Sequence, residues 1–585
     1  MSARTRRTTW LAAALLAVLT TTACISVPDT GPVVPVQDEV QTQPDVGIER
    51  GAAPPQEGQS PQNIVNGFLR AMTAYPVRTE VARQYLSSAA AEAWNPASKI
   101  ITYEGRGSLR GTSTVRVALQ GAHWVDSRGT WRGQRGTGDV QLSFPMVKEG
   151  DEWRIDGVVD ALVVPDTWFH DRYRQASVYF LDPTASILVP EQVFVRIDQV
   201  TGSLVQALLD GPGPELDHVV RSFVPEGLTL GLSVPVSDDG RAAITLEGDV
   251  GALTPAAAQP LIYQFAWTLH QDPRIKSFSI TLNKQPVTLP GFGGTQFSVD
   301  LGSEYSPADV SASSALFELR DGLLESGDPS NSTPVDGPLG QTAYGIESFA
   351  VSLKGDLAAT VAANHTALAL TSVADDSHPY QQVISGAGNL LKPSWDFAGR
   401  VWLVDNRRGG ARVSVIDTTR DDTLVVTKYV RGISGEDVQA FMVSRDGTRL
   451  VAVVRGGDAD VLRLSRIRYD ALGTLRTVTP SRDLAWGAVD RQRIIDIGWN
   501  STTTVGVLHQ FTPNVAQFVA VPVDGSTGLE DRLTQTGRAT ALVCSPTPEE
   551  TLYIRTEDGL QDTTGAEGGV TVPLPADVSA VQYVG

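Results

Sequence analysis

Between residues 64 and 72 the apolar side chains fall at Ile64, Val65, Phe68, Leu69 and Met72, a spacing that gathers them on one face of a helix. Ser60-Pro61 stands just ahead, a capping hydroxyl followed by a proline suited to the first turn. A second short helix is predicted over Val81, Tyr85, Leu86 and Ala89, ending by Asn95-Pro96. The period then shortens to two, at Val115, Val117 and Leu119, at Val140, Leu142 and Phe144, and at Trp153, Ile155 and Val158. Two helices followed by a strand meander predict an α+β domain over residues 60–170, its sheet wrapped on the first helix.

A second α+β domain is predicted over residues 173–301. Strand-like Val178 to Leu181 and Ile187 to Val195 lead into a helix bearing Val200, Leu204 and Leu208, stopped by Gly211-Pro212-Gly213-Pro214. Leu228 to Val236 and Ala242 to Glu247 alternate on either side of Asp239-Gly240, a hairpin signal. Thr254-Pro255 opens a helix with Leu261, Ile262, Phe265 and Leu269 on its buried side, and Ile275 to Leu282 returns as a strand. Residues 302–340 read as a linker, with a short helix near Ala315 to Leu323 and then the run GDPSNSTPVDGPLG.

From residue 341 to 585 an irregular repeat sets in. Ser352, Ser394, Ser444 and Ser545 each open a turn with a polar or glycine tip, followed by an alternating apolar strand, and Trp499-Asn500-Ser501 fits between the last two. The serines stand about 42, 50, 57 and 44 residues apart. That period, carried hairpin by hairpin, predicts an all-β propeller of about five to six blades.

At 585 residues, with 41% hydrophobic and 19% charged residues, the chain is a multidomain globular protein able to bury a core in each domain. Its net charge of -19 argues against nucleic acid as a partner, since phosphate binding rests on Lys and Arg. The two cysteines leave no intramolecular disulfide if Cys24 is modified, and Cys544, in the apolar run Ala541 to Cys544, reads as a buried thiol.

Ahead of the first domain lie two segments of different character. Residues 1–23 have a basic head at Arg4, Arg6 and Arg7, an apolar run from Trp10 to Leu19 and the small residues Thr21-Thr22-Ala23, the order of an export signal. The run is too short to span a bilayer. Cys24 follows directly, where the pattern resembles a bacterial lipobox with Thr21 in place of the usual leucine. This marks Cys24 as an acyl acceptor. Arg6-Arg7 resembles a twin-arginine signal, so the export route stays open between that and the general one. Residues 24–59, rich in Pro, Gly, Gln and acids, read as the acylated N-terminus and a flexible tether.

Catalytic, cofactor and metal motifs are not found. No His-x-x-x-His pair, Gly-x-Ser-x-Gly elbow or Gly-x4-Gly-Lys loop occurs. Asp458-Ala459-Asp460 approaches a Ca2+ loop, and Arg463, Arg466 and Arg468 form a cluster open to two readings, a site for an anionic partner or a solvated outer strand.

Three resemblances carry the reading further. The order of elements up to Gly150-Asp151-Glu152-Trp153-Arg154-Ile155 resembles the cystatin-like cone of the nuclear-transport-factor-like superfamily. Such cones can hold catalytic Asp/His pairs, and His123 and Asp126 stand near each other in sequence; a solvated loop or hairpin pair is the preferred reading, and no catalytic residue is assigned. The blocks Leu204 to Pro212, Val224 to Gly227 and Gln264 to Leu269 resemble the GerMN domain of sporulation and germination proteins, which implies a binding or assembly module. The full order of anchor, tether, cone, GerMN-like domain and propeller resembles the LpqB family of actinobacterial lipoproteins. That resemblance implies a cell-membrane lipoprotein facing outside the cytoplasm, held by lipid on Cys24. It also implies a non-enzymatic accessory role, bound to the extracellular domain of an MtrB-like sensor histidine kinase in two-component signalling linked to cell-wall homeostasis and division. The alternative is a cell-wall glycan-binding protein or a propeller hydrolase, and cell-wall contact is expected on either reading.

Overall fold

The structure, a computed structural model, describes residues 52–74, 79–134, 138–250, 253–289, 291, 293–308, 312–329, 331–420, 424–487, 492–526, 532–545, 551–563 and 570–585. In the first domain Ser60 Oγ accepts from Asn63 N at 3.3 Å and starts helix α1, Pro61–Ala71. Its apolar face is buried at Ile64, Val65, Phe68 and Leu69. Phe68 meets Trp94 at 5.3 Å and Phe144 at 6.1 Å between ring centroids. Each such side chain withdrawn from water contributes about 1.5–3 kcal/mol.

The second helix expected from the sequence is two, α2 at Glu80–Arg83 and α3 at Ser88–Ala93. Between them the chain turns aside to pair with a strand, Ile155 N donating to Tyr85 O at 3.0 Å and Ser87 N to Ile155 O at 2.8 Å. Ser87 Oγ then caps α3. Lys99–Tyr103 lies between His123–Asp126, antiparallel, and Leu162–Pro165, parallel. Thr114–Gln120 pairs with Val140–Glu149. The chain bends between these sheets at Gly121, whose φ of +58° suits glycine. The sheets curve about α1, the α+β cone expected, and a short helix α4, Asp166–Arg172, follows the last strand. Residues 52–59, expected to belong to the tether, lie against this domain. Tyr85 Oη donates to Ala53 O at 2.7 Å and Gly58 N to the Glu152 carboxylate at 3.1 Å.

The middle domain opens with the hairpin Tyr173–Leu181 and Leu188–Arg196, then helix α5, Val200–Leu209. Arg241–Glu247 and Ser277–Leu282 pair in parallel, joined by helix α6, Pro255–His270. The Asp239-Gly240 turn forms as expected, Gly240 at φ +81° donating to Ser237 O at 2.8 Å. The strand before it is shorter than its pattern suggests, only Thr229–Leu230 and a lone bridge from Val236 to Ala242.

Six successive sheets form the propeller among the described residues, the upper end of the expected range. The stretch 302–340, read as a linker, supplies one of them. Phe317–Arg320, Leu323–Asp328 and Asn331–Pro334 are strands, and Phe317–Arg320 pairs with the C-terminal Val578–Gln582. The blade that closes the ring is thus built from both ends of the domain. No helix forms near Ala315 to Leu323, because a strand 260 residues away captures that segment's backbone, as Ser579 Oγ donating to Leu319 O illustrates.

The recurring turn has a common chemistry with one exchange of residue. Ser352 Oγ accepts from Leu357 N at 3.1 Å, and Ser444 Oγ from Arg449 N at 2.9 Å. In the blade between them Asp396, not Ser394, holds the turn, accepting from Ala398 N at 3.0 Å and Arg400 N at 3.1 Å. Ser394 instead accepts from Val443 N of the next blade.

Candidate functional site

Cys24 lies outside the described residues. His123 and Asp126, which share a strand, do not form a pair. His123 turns inward, its ring 4.8 Å from that of Trp131, and burial holds its pKa below the usual histidine value. Asp126 takes hydrogen bonds from Thr130 N at 2.9 Å and from Arg132 Nη2 at 2.6 Å. Residues three apart on a strand face opposite ways, which separates them. Asp460 is likewise spent on Arg493 Nη1 at 2.9 Å and Ile494 N at 3.0 Å. Among the described residues no group of three or more His, Cys, Asp or Glu is placed to hold a metal ion. Cys544, expected to be buried, is half-buried against Gly498, and desolvation pushes its thiol up to about 12.

Two members of the arginine cluster, Arg463 and Arg466, are held by groups within the chain. Arg463 donates to Asp483 Oδ1 at 3.2 Å and to Gly432 O. Arg466 meets an anionic partner within the chain. Its Nη1 and Nη2 clasp Glu191 Oε1 and Oε2, each at 2.7 Å, from the middle domain. Arg449, with no solvent-exposed side-chain surface, donates through Nη2 to the same Glu191 at 3.1 Å and to Pro190 O, and through Nη1 to Asp446 Oδ2 at 2.7 Å.

Glu191 sits in Leu188–Arg196, and this one strand joins all three domains. Gln192 Oε1 accepts from Asp524 N at 3.2 Å, while Gln175, on the paired strand, donates to Asp524 Oδ2 at 3.1 Å and Ser526 Oγ at 3.0 Å. Burial raises the Asp524 pKa and lowers that of neighbouring Arg482 to about 10, Arg466 adding to the latter effect; the guanidinium stays charged at neutral pH. Two residues on, Phe194 turns to the cone. Its N–H donates to Gly129 O at 2.7 Å, and its ring lies 5.0 Å from Phe169 and 5.7 Å from Trp131. Arg132 spans the same boundary, donating to Glu215 at 2.7 Å.

Glu191 and Arg449 were not singled out from the sequence, though each left a trace. Glu191 is the lone acid in the otherwise apolar run LVPEQVFV. Arg449 and Arg400 both follow the turn at the point where the first full blade carries Leu357, as the bonds from Ser352 N to Leu357 O, Asp396 N to Arg400 O and Ser444 N to Arg449 O establish. At Arg449 this charge faces the middle domain, whereas Arg400 is held by Asp396 and the Tyr469 ring within the propeller.

Beside this strand the cone and middle domain leave an open cleft of about 970 Å3. One wall is the face of α5 that carries Ser203 and Gln206; the other includes Lys99 and Ser127, and Leu232 stands fully exposed on the lip.

Residues 54–170 match the family model described as Lipoprotein LpqB, N-terminal domain, and residues 322–573 that described as Lipoprotein LpqB beta-propeller domain. Residues 177–288 match a model described as Sporulation and spore germination. Among curated proteins, Lipoprotein LpqB of Thermobifida fusca is 26% identical over 88% of this chain and 89% of its own length. Lipoprotein LpqB of Cutibacterium acnes is 25% identical over 95% of both, and that of Mycobacterium tuberculosis 26% identical over 86% and 87%. Among solved structures, Kuenenia stuttgartiensis hydrazine synthase aligns with a TM-score of 0.28 at 15% identity, over 42% of this chain and 75% of that one.

Proposed function

Because this chain belongs to the LpqB family of lipoproteins, we propose that it is a lipid-anchored, non-enzymatic accessory protein outside the cytoplasm that docks on the extracellular domain of an MtrB-like sensor histidine kinase. Cys24 is the acyl acceptor in this reading. Among the described residues no helix is long and apolar enough to cross a membrane.

The observation that supports an adaptor most is the strand Leu188–Arg196, which binds the propeller through Glu191 and the cone through Phe194. Separate modules on flexible linkers would each explore space independently. Buried contacts on both sides instead hold three domains as one body, whose surfaces meet a partner in fixed relation. In this reading residues 24–51, by their Pro-, Gly-, Gln- and acid-rich composition, serve as the tether, roughly 90 Å at full extension. Confinement at that distance raises the effective concentration for a kinase domain on the same membrane.

Replacing Cys24 with Ala tests the reading. The expected outcome is release from the membrane fraction, reduced kinase-dependent transcription and an unchanged melting profile. Full pathway output from the released protein would contradict it.

A further inference from the structure

The cleft between the cone and the middle domain has the size of a ligand site and walls fixed from both sides. Its width is set by the Phe194 to Gly129 hydrogen bond and the Arg132 to Glu215 ion pair, so it is formed before anything enters. From its lining we infer that it binds an uncharged, polyhydroxylated chain, a glycan strand bearing N-acetyl groups. This inference goes beyond the adaptor reading and does not depend on the kinase.

Charge decides against other ligand classes. The lining is close to charge balance, with Lys99, Arg128, Arg196 and Arg274 against Asp126, Asp198 and Asp210, and each of its arginines already has a carboxylate. Arg128 stands 3.8 Å from Asp126, Arg196 forks onto Asp198 at 2.7 Å, and Arg274 holds Asp272 at 2.7 Å. An anionic ligand would compete with these acids, and a cationic one with the guanidiniums. A neutral ligand meets neither cost. What it finds is an amide and hydroxyl patch, Ser203 and Gln206 on α5 and Gln199 just ahead of it, with Ser127 opposite; Gln206 Nε2 also donates to Asp210 Oδ1 at 2.7 Å. Leu232, fully exposed on the lip, offers aliphatic surface for the C–H face of a sugar or an acetamido methyl.

Gly202 adds a second, independent observation. It lies inside α5 on the cleft wall, where glycine weakens a helix relative to alanine. A Cβ built there would meet nothing within 4 Å. The backbone needs no glycine at this point, while the bare surface lets a ligand approach the helix closely.

The same open space makes a blocking variant. Full-length lipidated protein in nanodiscs is titrated calorimetrically with chitotetraose, the neutral β-1,4 tetramer of N-acetylglucosamine. Gly202→Trp is expected to bind at least about tenfold more weakly than wild type with its melting profile unchanged, and Gly202→Ala to fall between the two. If Gly202→Trp fails to fold, Gln206→Trp, on the exposed face of the same helix, takes its place. Three results would each overturn the inference: no binding at millimolar chitotetraose, equal binding by the folded blocking variant, or tripolyphosphate binding more tightly than the sugar and lost on blocking.

Discussion

Replacing Glu191 with Ala removes one carboxylate that faces two arginines across a domain boundary. Arg466 loses both of its 2.7 Å hydrogen bonds, and Arg449 keeps Asp446 as its only carboxylate beside the Pro190 carbonyl. Arg449 has no exposed side-chain surface, while Glu191 and Arg466 retain 13% and 16%. Breaking a buried ion pair from one side costs about 3–5 kcal/mol, and the residual solvent at Glu191 places this case near the lower end, about 3 kcal/mol. The cost falls on docking rather than on either domain's own core. Urea unfolding of the full-length protein, followed by hydrogen exchange at Leu188–Arg196 and Val461–Tyr469, reads it directly. Exchange should accelerate on both strands, while the far blades keep their protection. A double-mutant cycle with Arg466→Ala should return about 1–3 kcal/mol of coupling. Replacing Glu191, Arg449 and Arg466 together with Leu, Met and Met should recover much of the loss, because no charge is then left unpaired in the interface. A cost below about 0.5 kcal/mol, the range of an exposed pair, would refute the claim that this junction is buried and continuous.

Gly129 stands at φ +78°, and a side-chain carbon there would come within 2.5 Å of Phe194 O, so Gly129→Ala should loosen the cone from the middle domain by about 1–3 kcal/mol, seen as faster exchange at Phe194 N–H. Burial depresses the pKa of His123, so its neutral ring contributes stability that is fully present above pH 6.5 and lost as pH falls through the lower, folded value; His123→Gln should flatten the acid limb of the cone's stability profile. Asp272, held low by Arg274 and Thr201 against the opposing effect of burial, works in the same direction, with stability lost as pH falls below 3.8, and Asp272→Asn should remove that dependence. The Cys544 thiol, pushed up to about 12 by burial and by nearby Asp496, should react with a thiol reagent far more slowly in the folded protein than in urea.

Periodicity alone disclosed most of the architecture, because helices and strands that bury one face write that face into the sequence. Ile64, Phe68 and Leu69 fall on the buried side of α1, and the Asp239-Gly240 turn forms where its dipeptide stands. Failures came where a long-range partner decided the outcome. Tyr85 to Ser87 leaves the helix for Ile155, and 317–334 becomes a blade because Val578–Gln582 closes on it. The polar outer strand Asn331–Pro334 carries little apolar signal of its own, so its turn-rich composition reads as a linker. The junction was the least legible part. Glu191 and Arg466 are 275 residues apart, and nothing local in either segment names the other. Only the oddity of each charge within an apolar pattern hints at a partner.

The proposed accessory role requires contact with a kinase at the membrane, and such contact can be measured where it would occur. A photoreactive amino acid placed in turn at exposed positions of the middle domain and propeller, such as Leu232, Tyr429 and Phe511, is activated in living cells carrying the lipidated protein. The account predicts a covalent adduct with the extracellular domain of the sensor histidine kinase, formed from at least one face and lost in the Cys24→Ala variant. Adducts confined to other proteins or to wall glycan, with the kinase present and unlabelled, would contradict it.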